Sequence, residues 1–460
     1  MSISRNVGAL SGYLNRLRTD PSYSRTKEEI ETVLNRIPRI GSSLASAASR
    51  FKDKVKYLMV PGILFEELGF TYIGPVDGHN LQDMTLVMSN AKRMKGPILI
   101  HTITQKGRGY GPALENPDVF HGVGPFDIDT GSQVRKPCKT YTQLFGDYMV
   151  QKAQEEPRLV AITAAMASGT GLSDFALGYP ERFFDVGICE QHAVTMAAGM
   201  AKAGLKPVVS VYSTFLQRAF DQVIHDVALQ NLPVVFAVDR AGLVGEDGAT
   251  HQGAFDLAYL RIIPNLTIMA PADGRELTAM LDKALEINGP VAIRYPRGIA
   301  ESVGTEPDPI EIGQGRIIQD GRDLAIIAIG RGVKMGRELA GLLNQNGISA
   351  MLYDARFAKP LDREGITGLA RRFTYMVTIE DNCLAGGFAS SILELMADEG
   401  LHDCQLIRIG LPDDFVEHGR VEQLFEYLGM DPAAVLAKLV DQWPKLTRNR
   451  SLELLKFGEK

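Results

Sequence analysis

Cysteine is scarce in this sequence, with four residues in 460 (Cys138, Cys189, Cys383 and Cys404) and no CxxC pair among them. That spacing excludes a zinc ribbon and supplies no disulfide framework, so a reducing compartment is expected. Long apolar runs are missing too. The longest, such as 324–329, are strand-sized and far too short to span a bilayer. The opening Met1-Ser2-Ile3-Ser4-Arg5-Asn6 has no basic segment followed by an apolar one, the layout of a secretory signal. Nor is there an excess of positive charge. A formal net charge of −6 gives no general attraction to nucleic acid or to an anionic membrane, so any phosphate-binding site must be a local one. No low-complexity run or short-period repeat is found. These absences leave a cytoplasmic protein, with neither nucleic acid nor membrane as a partner.

What is present is the profile of a globular protein: 45% hydrophobic and 23% charged residues. The length suits about three domains. Short β-branched runs at 97–104, 159–163, 207–213, 232–239, 266–270, 291–294, 324–329, 349–353, 375–379 and 405–409 read as buried strands. Helical patterns fit 213–229, 275–287, 333–345 and 387–399. Near-continuous apolar strands alternating with amphipathic helices predict an α/β protein with doubly wound parallel sheets. Two linkers rich in Gly, Pro and acidic residues, 122–139 and 304–315, divide the chain into roughly 1–125, 138–303 and 312–460. The last two blocks read as complete doubly wound domains. The first does not, because 19–53 is polar with one helix around 27–34 and only one strong strand follows.

The middle block carries the chemistry. Phe184-Asp185-Val186-Gly187-Ile188-Cys189-Glu190-Gln191-His192 ends a strand-like stretch and opens a small-residue helix over 193–203. Glu190 is thereby placed near a helix N-terminus, where the dipole favours a carboxylate. For a lone Glu, a plain helix-start charge is the commoner case. Two further strand ends are loaded in the same way, by Tyr212-Ser213-Thr214-Phe215-Leu216-Gln217-Arg218 and by Asp239-Arg240 with GEDGATHQG at 245–253. In open α/β sheets ligands bind at the carboxyl ends of the strands. A solvated loop would account for any one of these segments; three together point to a site.

These segments also carry a resemblance. DVGICEQ at 185–191 is similar to the signature of the pyrimidine-binding domain in thiamine-diphosphate enzymes of the transketolase group. YSTFLQR at 212–218 and DRAGLVGEDGATHQ at 239–252 resemble the deoxyxylulose-phosphate synthase branch in particular. YIGPVDGH at 72–79, KGRGY at 106–110 and Phe120-His121 resemble the cofactor-facing part of the family's first domain. RYPRG at 294–298 and EDNCLAGG at 380–387 resemble its second and third. Cys189 stands where the family pattern usually has Ala.

The resemblance implies a transketolase-like, three-domain fold with the first domain incomplete, thiamine diphosphate with Mg2+ as cofactor, and a homodimer. It implies the decarboxylating condensation of pyruvate with glyceraldehyde 3-phosphate, which feeds isoprenoid and thiamine precursors. By the same implication Glu190 bonds the aminopyrimidine of the cofactor, in an apolar pocket that would raise its pKa, and Tyr110 and Phe215 pack against the cofactor. His121, His251 and Asp247 handle protons and orientation beside the reacting carbons. Arg240 and Arg297 hold the aldehyde's phosphate, a task suited to the planar guanidinium fork, with Tyr212 and Arg218 lining the same mouth. Among the remaining residues, His192 and His225 are expected as packing or satisfied polar groups within helices. His418 is expected at a domain or subunit interface, Gly386-Gly387 at a tight strand-to-helix turn, and 415–460 as a helical tail.

One family motif is absent. The sequence contains no GDG…N, the motif whose Asp and Asn hold the magnesium that grips the diphosphate. In the family pattern Met1-Ser2-Ile3-Ser4 follows directly after that Asn. The expectation is therefore a partial sequence of an active enzyme, with no metal ligands in the stretch given; were the start genuine, cofactor binding would be weakened by about ten-thousandfold or more and no turnover would be expected. A fragment or a non-catalytic dimerising partner is the alternative. Transketolase and the pyrimidine-binding subunit of a ketoacid dehydrogenase are disfavoured by YSTFLQR and DRAGLVGEDGATHQ.

Overall fold

The computed structural model describes residues 62–117, 119–132, 138–302 and 309–446. The polar segment 19–53, with its expected helix around 27–34, lies outside the described residues, as do parts of both linkers. The chain forms two compact units, residues 1–134 and 135–460.

In the first unit, β1 (Thr71–Asp77) and β2 (Ile98–Ile103) pair in parallel. The helix Leu81–Ala91 lies between them in sequence, started by Asn80, whose side chain accepts from the backbone N–H groups of Gln82 and Asp83. β2 is the strand the apolar pattern predicts. β1 is not among the predicted strands, because Gly74 and Pro75 interrupt its pattern; the register shifts between Ile73 and Val76 at that point.

The second unit holds two sheets. One has seven strands, with β3 (Leu159–Thr163), β4 (Phe183–Asp185), β5 (Lys206–Tyr212), β6 (Val235–Asp239), β7 (Thr267–Met269) and β8 (Val291–Arg294) all parallel. The other has five, from β9 (Arg316–Gln319), β10 (Leu324–Ala328), β11 (Ala350–Asp354), β13 (Tyr375–Cys383) and β14 (Gln405–Leu411), with only β9 antiparallel. The strand between β11 and β13 in sequence, β12 (Phe357–Lys359), leaves the second sheet and pairs antiparallel with β7 at the edge of the first. β9 and β12 are short edge strands that no apolar run announces. The order of the larger sheet, β12-β7-β8-β6-β5-β3-β4, reverses direction at β3 and β5, which opens a crevice at the carboxyl ends of the strands.

Apolar residues cover both faces of these sheets. One cluster runs from Ile162, Val209 and Phe236 to Ile327 and Met351 and so joins the two sheets into one core. Helix Gly332–Gln345 buries Val333, Met335, Leu339 and Leu343 at helical spacing. Gly336 lets that helix lie close to the sheet, since a Cβ there would come within 2.8 Å of Leu352 Cδ1.

Three local expectations need correction. The segment 213–229 is not one helix. It is an α-turn (Ser213–Leu216), a 3-10 turn (Gln217–Ala219), an α-turn (Phe220–Gln222) and a π-turn (Val223–Ala228). Such departures from α geometry change which way successive side chains face. His192, in helix Glu190–Lys202, is exposed rather than packed, whereas His225, also exposed, is a satisfied polar group as expected, its Nδ1 bonded to Asp226 at 3.0 Å. The tail is helical only in Val421–Tyr427, Pro432–Gln442 and a 3-10 turn at Pro444–Leu446 within the described residues. The Gly386-Gly387 turn is as expected: Gly386 has φ +70°, and a Cβ on Gly387 would collide with Cys383 O and Glu380 Oε2. All four cysteines are free thiols. No helix among the described residues is long and apolar enough to cross a membrane.

Candidate active site

Four strand ends of the larger sheet deliver the polar residues. After β4, Asp185 Oδ1 accepts from the backbone N–H groups of Ala165 and Gly187, which bends the chain sharply enough to start helix Glu190–Lys202. Ala193, Ala197 and Ala198 let this helix pack tightly on the sheet. Glu190 is its first residue and is 2% exposed. Its Oε1 accepts from Arg218 Nη1 at 3.0 Å.

After β5, the side chains form a continuous strip. The Arg218 guanidinium lies 5.1 Å from the Phe215 ring centre, and Phe215 stacks on Tyr212 at 5.7 Å. Arg240 lies 3.9 Å over the other aromatic ring, that of Tyr212, and His251 meets Phe215 edge-on at 5.5 Å. Burial pushes the Tyr212 hydroxyl up to about 12, so it stays protonated. Gly169 leaves room for that hydroxyl, since a Cβ there would overlap it.

After β6, Asp239 is buried and accepts from Thr142 Oγ1 at 2.9 Å and from Arg240 N at 2.6 Å. The second bond holds Arg240 at φ +58°, a backbone region that non-glycine residues rarely occupy. Burial pushes the Asp239 carboxyl up to about 6, against the pull of Arg240. Arg297, beyond the end of β8, converges on the same place. Asp247 Oδ2 accepts from Arg240 Nη1 at 3.1 Å and from Arg297 Nη1 at 2.9 Å. The His251 imidazole is held below its usual value, first by burial.

The structure thus brings Glu190, Arg218, Phe215, Tyr212, Arg240, Asp247, Arg297 and His251 to one end of one sheet. Within that group, Arg218 partners the buried Glu190, while the other two arginines share Asp247. His121 and Tyr110 belong to the first unit. There His121 Nδ1 lies 2.8 Å from Lys106 Nζ, and burial together with that ammonium holds the imidazole below its usual value. The Tyr110 hydroxyl donates to Ile128 O, and its ring packs with Phe120 and Phe126. His79 Nε2 accepts from Gln105 N.

Comparison with known proteins is consistent across the chain. Residues 1–104 match the family described as 1-deoxy-D-xylulose-5-phosphate synthase. Residues 139–301 match the transketolase pyrimidine binding domain, and 313–435 the transketolase C-terminal domain. The 1-deoxy-D-xylulose-5-phosphate synthase of Syntrophomonas wolfei is 65% identical over 100% of this chain and 72% of its own length. The chain belongs to the 1-deoxy-D-xylulose-5-phosphate synthase family. The synthase of Heliobacterium modesticaldum is 54% identical over 98% of this chain and 70% of its own.

Among solved structures, the inactive β4 tetramer of a split-gene transketolase is 33% identical, with a TM-score of 0.59 over 67% of this chain and 99% of that one. A transketolase from Campylobacter jejuni shares the fold at 16% identity, with a TM-score of 0.55 over 83% of this chain and 68% of that one. The chain is accordingly a thiamine-diphosphate-dependent transferase with the synthase activity of its family, and the dead-partner alternative is not favoured.

Several residues that shape this end of the sheet had no individual role assigned from sequence. Thr142, Gly169, Asp185 and Gln252 act through hydrogen bonds or close approach to positions far along the chain. Asp239 was visible only as part of the Asp239-Arg240 pair, and its burial and its bond to Thr142 have no local signature.

Proposed function

We propose that the crevice at the carboxyl ends of β4, β5, β6 and β8 is where this synthase joins pyruvate to glyceraldehyde 3-phosphate. Glu190 and Phe215 would hold the aminopyrimidine of thiamine diphosphate. The observation that carries the reading is Glu190 itself: a buried carboxylate at a helix N-terminus, with Oε1 bonded to Arg218 and no hydrogen bond to Oε2 among the described residues. A ring nitrogen bearing a proton fits such an acceptor. When bound, the cofactor supplies the electron sink that lets pyruvate lose carbon dioxide.

The chain's own residues do the rest. Arg240 and Arg297 converge from two strand ends and would take the substrate phosphate by charge-assisted hydrogen bonds, displacing or sharing Asp247. His251, whose imidazole burial holds below its usual value, can accept a proton at Nε2 in the tautomer whose Nδ1–H donates to Thr250 Oγ1. Tyr212 stacks under Arg240 and fixes its plane. By the family resemblance alone, His121 is given a proton-handling role and Tyr110 a cofactor-packing one.

Mg2+ is part of this proposal on the family resemblance alone. No group of three His, Cys, Asp or Glu side chains is placed to hold a cation among the described residues, so no step is assigned through it. A homodimer in the cytoplasm is proposed on the same ground.

The test is a pair of substitutions in the holoenzyme. Arg297→Leu is expected to raise KM for glyceraldehyde 3-phosphate by about 10- to 100-fold, the worth of one charge-assisted bond, and to spare KM for pyruvate. Glu190→Gln is expected to weaken thiamine diphosphate binding, read by titration calorimetry, and to lower kcat. Equal effects of Arg297→Leu on both substrates would refute the phosphate assignment.

A further inference from the structure

The loop 242–253, which carries Asp247 and His251, is held partly by its own bonds and partly by Arg331, Asp381 and the backbone at 416–419, all later in the chain. Its ends are joined by two backbone bonds, Gly242 N to Gly253 O at 2.8 Å and Gly253 N to Gly242 O at 2.7 Å. Inside that closure sits Gln252, which is 5% exposed. Its Oε1 accepts from Val244 N at 2.7 Å, while its Nε2 donates to Glu417 O at 3.2 Å and more weakly to Val416 O at 3.5 Å. One primary amide therefore clips the loop to itself and to the segment that follows β14. Beside it, Gly419 N donates to Gly245 O at 3.4 Å, and a Cβ on Gly248 would lie 3.3 Å from His418 Cβ. The other end of the loop is held by β13: Asp381 Oδ1 accepts from Leu243 N at 3.1 Å. Arg331 Nη1 bonds Asp381 Oδ2 at 3.0 Å and Leu243 O at 2.8 Å, while its Nη2 donates to Arg297 O at 2.9 Å.

We propose that Gln252 is a positioning residue that ties the Asp247 loop to the backbone at Val416 and Glu417, so that the C-terminal block sets the geometry of the phosphate-binding end of the site. This inference rests on the assignment of Arg240, Asp247 and Arg297 to the phosphate. A buried amide with an acceptor on one side and a two-carbonyl donor face on the other has no apolar substitute, because every group it satisfies would be left unpaired. It also gives a purpose to the segment around His418, which lies against Gly248 of this loop.

Gln252→Glu separates the two halves of the clip. The carboxylate still accepts from Val244 N–H but faces Val416 O and Glu417 O with no donor. In the holoenzyme this variant is expected to raise KM for glyceraldehyde 3-phosphate about tenfold and to hold KM for pyruvate within about twofold, as a displaced binding group does. Gln252→Leu, which also frees Val244 N–H, is expected to have the larger effect of the two. Hydrogen–deuterium exchange supplies a readout apart from turnover: amides at 242–253 and 416–421 are expected to exchange faster in both variants, with β10 and β11 unchanged.

Unchanged exchange at 416–421, or KM values for the two substrates that rise together, overturns the proposal. Arg240→Leu and Arg297→Leu run alongside. If they raise KM for glyceraldehyde 3-phosphate and Gln252→Glu does not, the clip is refuted and the phosphate assignment stands. If neither arginine variant raises it, both fall.

Discussion

The two units of this chain contain strands of similar composition in different surroundings. ILIHTI in β2 is as apolar as LVAIT in β3, yet no residue of β1 or β2 is fully buried, while every residue of β3, β6 and β10 is. Leu81 and Leu86, on the helix between β1 and β2, are largely exposed. The strands of the second unit lie inside sheets of seven and five, with helices on both faces. A parallel pair has two edges and few neighbours, so its apolar side chains have little to pack against. The lesson is that burial belongs to the layer and not to the strand. It follows that the carboxyls which burial pushes well up, such as Asp239 and Glu380, sit in the second unit.

The largest expected effect lies in that second unit. Arg294 Nε meets Asp256 Oδ2 at 2.9 Å, both side chains almost wholly buried, and Arg294 Nη2 donates to Asp381 O. Arg294→Met leaves a buried carboxylate without its cation and should cost about 3–5 kcal/mol, read from the denaturant midpoint. A loss below about 1 kcal/mol would show that water reaches this layer and would erase the contrast between the units.

Next is a pH effect whose sign follows the burial of each carboxyl. Asp239 is pushed up to about 6 by burial, so the stability it contributes is present at acid pH and is lost as pH rises from its usual carboxylate range through about 6. Glu380, pushed up to about 7 by burial, runs the same way. In the first unit, hydrogen bonds from Thr130 hold the exposed Asp127 below its usual value, so its contribution is present above that range and is lost as acid is added. Asp239→Asn should remove on the order of 2–3 kcal/mol of the second unit's decline between pH 4 and pH 7. Unfolding midpoints across that range check it; an unaltered slope would place the titration elsewhere.

The smallest effect belongs to the first unit. Tyr72→Phe removes the 2.6 Å contact between the hydroxyl and His101 Nδ1 and should cost about 0.5–1.5 kcal/mol. Faster amide exchange in β1 and β2 than in β5 and β6 would sharpen the same comparison.

Much of the second unit was legible because its strands are runs of β-branched residues with punctuation at either end. β3 and β8 match the apolar runs residue for residue, and β5 and β10 differ from them by one residue at one or both ends. β1, β9 and β12 were missed for definite reasons: a Gly-Pro interruption in the first, and edge positions with three or four residues in the others. The expected helix over 213–229 failed because its composition is helical while its bonding passes through α, 3-10, α and π turns in succession. The candidate site was legible as three loaded strand ends, but which side chain meets which was not. Arg218 lies with the buried Glu190, and Asp247 is shared by two arginines.

By itself, the sequence determined where most of the parallel strands form, which strand ends carry charge and which family motifs they spell, since all of these are properties of contiguous residues. Only the tertiary structure decided that β12 crosses to the larger sheet, that Asp239 is buried against Thr142, and that Gln252 reaches Val416 and Glu417. Those contacts join residues roughly a hundred positions or more apart. Their partners are chosen by the path of the chain through space, where burial makes each unpaired polar group costly enough to select them.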